Sequence, residues 1–123
     1  MEGLVVDTSV IIDFLRENDK NNALYLSLVK KFQITISLIT VTELYSGRSI
    51  QNQKGQNAVE KILEGVNIRI PNLETAKRAG FLRSKYQLTL GDSFIAALAI
   101  ELHSKLATLD MKAFKGIKEI NLY

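Results

Sequence analysis

Four acidic residues, Asp7, Glu43, Asp92 and Asp110, stand apart from the other acids of the chain by what surrounds them. Asp7 ends the β-branched run Leu4-Val5-Val6 and is followed by two hydroxyl residues, Thr8 and Ser9. At helical offsets of three and four, Asp7 meets Val10 and Ile11, Asp92 meets Ile95 and Ala96, and Asp110 meets Ala113 and Phe114. Glu43 has Ile39, Thr40, Ser46 and Gly47 at the same offsets. Glu74, by contrast, has Lys77 and Arg78, and Glu101 has Lys105. Those are ordinary surface helix pairs, each contributing about 0.2–0.5 kcal/mol. A partly buried carboxylate without a cationic partner is costly, and several in one region cost more unless a cation sits between them. The chain has no cysteine and a single histidine, His103, so such a site is all-oxygen and favours Mg²⁺ or Mn²⁺. Taken singly, the four have ordinary readings too. Asp7, Asp92 and Asp110 each suit a helix N-cap, and Glu43 suits a solvated helix face.

The elements must bring these acids together. Leu4-Val5-Val6 suits a strand covered on both faces, as in a parallel sheet. Ligands of open parallel sheets collect at the carboxyl ends of strands, where Asp7 falls. Val10, Ile11, Phe14 and Leu15 recur at helical spacing, so Thr8-Ser9 is a strand-to-helix turn and the helix runs to about Glu17. Asn18-Asp19 breaks it and can cap a second amphipathic helix over residues 23–32. Residues 34–37 read as a strand leading into a helix with Ile39, Val41, Leu44 and Tyr45, which carries Glu43. The polar segment 48–57 reads as a loop or exposed helix end, and Val59, Ile62 and Leu63 as another helix. Residues 66–70 alternate like a strand and stop at Pro71. Leu73–Tyr86 is helical, Leu90-Gly91 is a break, and a nearly all-apolar helix follows from Asp92 to Leu102. Residues 105–109 and 120–122 predict the last strands. Such alternation indicates an α/β fold with a mostly parallel sheet, and residues 1–123 show no repeat or boundary to divide one domain.

Composition removes several function classes. At 46% hydrophobic and 24% charged, the chain is expected to be globular and soluble. The longest apolar run, from Phe94 to Ile100, is too short to span a membrane. Met1-Glu2-Gly3 leads straight into the first strand, leaving no room for a signal peptide, so a cytoplasmic location is expected. Without cysteine there are no disulfides or thiolate sites, and a lone histidine disfavours a Ser-His-Asp triad. The net charge of +3 permits nucleic acid as a partner without demanding it.

Four segments in register resemble a known family. Val5-Val6-Asp7-Thr8-Ser9-Val10-Ile11-Ile12-Asp13 resembles the opening of a PIN-domain ribonuclease, and Thr42-Glu43-Leu44-Tyr45-Ser46-Gly47 resembles its second motif. Gly91-Asp92-Ser93-Phe94-Ile95-Ala96-Ala97-Leu98-Ala99 and Ala107-Thr108-Leu109-Asp110-Met111-Lys112-Ala113-Phe114 are similar to the third and fourth. Length and motif style resemble the VapC toxins of toxin–antitoxin pairs most. The resemblance implies a three-layer α/β/α fold and a Mg²⁺- or Mn²⁺-dependent endoribonuclease leaving 5′-phosphate and 3′-hydroxyl ends. It also implies a homodimer held inactive by a small antitoxin protein. On this reading Asp7, Asp92 and Asp110 bind metal, and Glu43 completes the cluster by orienting or deprotonating the attacking water. Ser9 and Thr108, each two residues from a metal acid, either support that shell or make local turn and cap bonds. Lys112 and Lys115 are the preferred RNA phosphate contacts, with Arg48, Lys77, Arg78, Arg83 and Lys85 as further cations; a solvated basic face is the alternative for each. Asp13 and His103 read as a solvated helix position and a helix-end charge. An antitoxin segment would use an apolar groove of the early helices, for which the helix over 23–32, with Tyr25 and Leu28, is a candidate; core burial is the alternative.

Other classes fit less well. An aspartyl phosphatase of the haloacid-dehalogenase type needs a second Asp where Ser9 stands. A phospho-accepting receiver domain needs an acidic pair after the first strand and a Lys after the last, whereas Asp7 is alone and Lys105 precedes its strand. A catalytically silent or housekeeping PIN module, acting as a scaffold or in RNA processing, keeps the same motifs.

Overall fold

Leu4, Val5 and Val6 have no polar side to offer water, so the strand they form is sealed on both faces. In the computed structural model, which describes residues 1–123, that strand is β1 (Gly3–Val6), and all three side chains are at most 1% exposed. It lies inside a four-stranded parallel sheet with β2 (Gln33–Ser37), β3 (Asn67–Arg69) and β4 (Leu106–Ala107), in the order β3-β2-β1-β4. The two-residue period of a strand divides its core. Leu4 and Val6 join Val10, Ile11, Leu28, Ile34, Ile36, Leu44 and Val59 on one side, and Val5 joins Leu82, Ile95, Ala96, Phe114 and Ile117 on the other.

Seven α-helices cover the sheet: α1 (Thr8–Arg16), α2 (Leu24–Val29), α3 (Leu38–Tyr45), α4 (Gln53–Glu64), α5 (Leu73–Tyr86), α6 (Leu90–Glu101) and α7 (Met111–Phe114). The expected α/β class and the three-layer parallel arrangement are both present. None of the helices is long and apolar enough to cross a membrane. The alanines of α6 are buried, with Ala96 and Ala97 at 0% exposure, so its backbone lies close to the sheet.

Several boundaries differ from the sequence reading. Leu90 and Gly91 are not a break but the first turn of α6, because the Thr89 hydroxyl caps it by accepting from the Asp92 N–H at 3.2 Å. The strand expected over 105–109 ends at Ala107: the Leu109 N–H bonds to Ser9 Oγ instead of a neighbouring strand. The strand expected over 120–122 is one bridge, Leu106 to Leu122. Segment 48–57 is a 3₁₀ turn (Arg48–Gln51) followed by the start of α4, which Asn52 caps through Gly55 N–H. Asp19 caps a 3₁₀ turn (Lys20–Asn22), and α2 is shorter than expected. Tyr25 and Leu28 point into the core, so the face suggested on α2 for a partner is not on offer through them. Glu101 accepts from the Thr75 hydroxyl at 3.0 Å and makes no ion pair with Lys105, whereas Glu74 does pair with Lys77 at 3.5 Å.

Candidate active site

Asp7, Glu43 and Asp110 lie at the carboxyl ends of strands or on the helix that follows one, and Asp92 comes from the start of α6, which follows α5. Asp7 leaves β1, Asp110 follows β4, Glu43 is on α3 just after β2, and Asp92 is in the first turn of α6. β1 and β4 are neighbours, so Asp7 and the loop bearing Asp110 are brought together by the ladder itself, with Asp7 N–H donating to the Ala107 carbonyl at 2.9 Å.

Asp7 occupies the N-cap position of α1, yet its carboxylate makes no cap bond. It is instead held by two hydroxyls. Ser9 Oγ donates to Asp7 Oδ2 at 2.6 Å and Thr108 Oγ1 donates to the same oxygen at 2.8 Å. The same two side chains also accept backbone protons, from Leu109 N–H at 3.0 Å and Asp110 N–H at 2.9 Å. Both expectations for Ser9 and Thr108 hold at once: each braces Asp7 and each ties a turn. Because both hydroxyls converge on Oδ2, Asp7 Oδ1 has no bond within the protein and is not sealed from solvent. A carboxylate only 3% exposed thus keeps one oxygen for something outside the fold.

The capping expectation splits three ways. Asp110 does cap α7, accepting from Ala113 N–H at 3.2 Å through Oδ1. Asp7 does not cap, and for Asp92 the cap is Thr89. Glu43 is half-buried, not solvated: Thr8 Oγ1 donates to its Oε1 at 2.7 Å, and its Oε2 lies against Gly91. Thr8, Thr40, Thr89 and Gly91 were not singled out as site residues from sequence. Only the N-cap preference of Thr before an apolar helix could have pointed to one of them, Thr89.

The acids sense one another. Desolvation, the largest cause, and the negative charge of Asp7 push the Asp92 carboxyl up from an ordinary 3.8 to about 6; the Thr89 hydroxyl opposes this, and Asp110 and Glu43 add to it. No lysine or arginine pairs with any of the four, since the ion pairs of the molecule are Lys77–Glu74 and Lys85–Glu119. Yet no three acidic side chains stand close enough, as placed, to hold a metal ion. The two observations are compatible, because charges interact over longer distances than those of a coordination shell. The donor chemistry fits a hard divalent cation: four carboxylates, no competing cation, and at Asp7 an oxygen left open. Lys112 and Lys115 are exposed on and just after α7, beside Asp110 in the chain. Lys77 and Lys85 on α5 are engaged with Glu74 and Glu119.

The parallel sheet and the four acid-bearing segments define the class of protein. The PIN domain family model matches residues 4–120, and the chain belongs to that family. Among solved structures, it is similar over 98% of its length to a chain of VapBC2 from Rickettsia felis, bound to a DNA fragment from its promoter; the TM-score is 0.80 at 25% identity, with 97% of that chain covered. A toxin–antitoxin complex from Klebsiella pneumoniae matches at 28% identity and TM-score 0.74, covering 95% of this chain and 94% of that one. VapBC-1 from nontypeable Haemophilus influenzae matches at 25% identity and TM-score 0.77, over 98% and 96%. No curated protein matches the chain.

Proposed function

We propose that the protein is a divalent-metal-dependent endoribonuclease and the toxin of a toxin–antitoxin pair. The observation that carries this reading is the convergence of Asp7, Glu43, Asp92 and Asp110 at one end of the sheet of a PIN domain, with no basic residue paired to them. Asp7, Asp92 and Asp110 would hold Mg²⁺ or Mn²⁺, and Glu43 would orient or deprotonate the attacking water. When bound, a divalent ion supplies a water of lowered pKa and offsets the charge that builds on the phosphate in the transition state. Ser9 and Thr108 keep Asp7 Oδ2 occupied, which leaves Oδ1 as the oxygen that would serve as a ligand. Lys112 and Lys115, both exposed, would contact RNA phosphates. A small antitoxin protein belongs to the same reading, supported by the VapBC and toxin–antitoxin complexes that the fold resembles; a homodimeric assembly, a cytoplasmic location and a single-domain chain are proposed with it.

One observation favours a second reading, a catalytically silent PIN module acting as a scaffold: no three acids are gathered tightly enough to hold a metal. Cleavage of a total small-RNA pool by purified protein separates the two. The wild type is compared in Mg²⁺, Mn²⁺ and EDTA with Asp92→Asn. Cleavage that requires the ion and disappears in Asp92→Asn is the expected result. Equal activity of wild type and variant would remove the four acids from the reaction. Inactivity of folded, antitoxin-free protein on every RNA tried would favour the silent module.

A further inference from the structure

Thr8, the first residue of α1, is 6% exposed and holds two oxygens of α3 within reach: Glu43 Oε1 at 2.7 Å and Thr40 Oγ1 at 3.0 Å. Thr40 and Glu43 are three residues apart and so share one face of that helix. A hydroxyl has a single proton, and a carboxylate is the stronger acceptor. Thr8 Oγ1 can donate to either oxygen, and its proton favours the shorter, charged contact with Glu43, with Thr40 Oγ1 as the alternative acceptor. On its far side the same carboxylate meets bare backbone. A Cβ placed on Gly91 would stand 2.7 Å from Glu43 Oε2 and 3.2 Å from its Cδ. Glu43 is thus gripped by a donor on α1 and reaches the first turn of α6 one residue before Asp92 because position 91 has no side chain.

We propose that Thr8 is a positioning residue for Glu43, acting with the space left by Gly91 to set this carboxylate beside Asp92 before any ion or RNA arrives. The proposal rests on the metal-nuclease reading above. Free rotation of a glutamate on α3 would scatter the fourth acid over several rotamers, and the grip selects one. Two substitutions attack it from opposite sides. Thr8→Val keeps the shape and deletes the donor; Gly91→Ala keeps the donor and intrudes on the carboxylate, while favouring the helix. Thr8→Ser restores the hydroxyl.

The test has one readout with an ion and one without. Mn²⁺ titration followed by the spin-resonance signal of the free ion is expected to show about tenfold weaker binding in Thr8→Val and Gly91→Ala. Thr8→Ser is expected to stay within about twofold of wild type. In EDTA, Thr8→Val is expected to raise the unfolding constant by roughly tenfold when Glu43 is present and by only about threefold in a Glu43→Ala background, where the contact with Thr40 is all that Thr8 has left to lose. Additive effects in EDTA, or Mn²⁺ binding unchanged in both Thr8→Val and Gly91→Ala, would overturn the proposal whatever the enzyme does. Coupling in EDTA together with no Mn²⁺ binding by wild type would overturn the metal reading, and the positioning role with it, leaving a structural contact.

Discussion

At the scale of the residue, Asp92 is where the strain of the acidic cluster is measurable. Its carboxyl is pushed to about 6 by burial and by the charge of Asp7, whereas its ordinary value is 3.8. An acid whose folded value is raised binds its proton more tightly in the folded state than in the unfolded one. Its stabilising effect is therefore complete below about 4 and is lost as pH rises through about 6. At pH 7, without a cation, Asp92 works against folding. Asp92 is only half-buried, so solvent screening reduces the penalty to on the order of 1 kcal/mol. Asp92→Asn is accordingly expected to stabilise the cation-free protein by about that amount at pH 7, with little gain at pH 4, while removing cleavage. Urea unfolding at the two pH values in EDTA checks this. A variant less stable than wild type at pH 7 would mean that the Asp92 carboxylate is satisfied by a contact other than the Thr89 hydroxyl.

At the scale of the element, opposing local forces decide the outcome. Gly55 lies in the first turn of α4, where alanine is the better helix former by about 1 kcal/mol. A Cβ there would fall 1.5 Å from the Ser49 carbonyl oxygen in the preceding 3₁₀ turn, which is backbone and cannot rotate away. The clash prevails. Gly55→Ala is expected to destabilise by roughly 1–3 kcal/mol, the range of overpacked sites; a thermal midpoint equal to or above wild type would show that the two turns are not locked as described. The same competition explains what the sequence disclosed about the elements. Apolar patterns such as the Leu4-Val5-Val6 run and Val10-Ile11 of α1 were readable because burial dictates them. The start of α6 was not, because Leu90-Gly91 looks like a break until Thr89 is seen to cap it. The end of β4 was not, because a side chain 100 residues away, Ser9, takes the Leu109 N–H. The four acids that the fold gathers were legible as the carboxylates lacking helical cationic neighbours. The hydroxyls and glycine that hold Glu43 were not, since their contacts cross from α1 to α3 to α6 and leave no periodic trace.

At the scale of the whole molecule, a chain of net charge +3 gathers four unpaired carboxylates at one end of its sheet. Their mutual repulsion is a cost of the folded state alone, because the unfolded chain separates them, so a cation bound between them stabilises the fold by mass action. At an ion concentration 100 times the dissociation constant the gain is about 2.7 kcal/mol. For a chain of this size that raises the thermal midpoint by on the order of 10 °C. The ion competes with the proton on Asp92, whose carboxyl titrates at about 6, so the increment is expected to be large at pH 7 and to shrink towards pH 5. Scans in Mg²⁺, in Mn²⁺ and in NaCl at matched ionic strength separate binding from screening, which is sensitive to ionic strength and not to the identity of the ion. Asp92→Asn should lose most of the divalent increment while keeping the NaCl response. If the divalent salts raised the midpoint no further than NaCl at any pH, the acids would be a repulsive cluster that no ion resolves. The open oxygen of Asp7 would then need another occupant, such as a basic side chain of a partner protein.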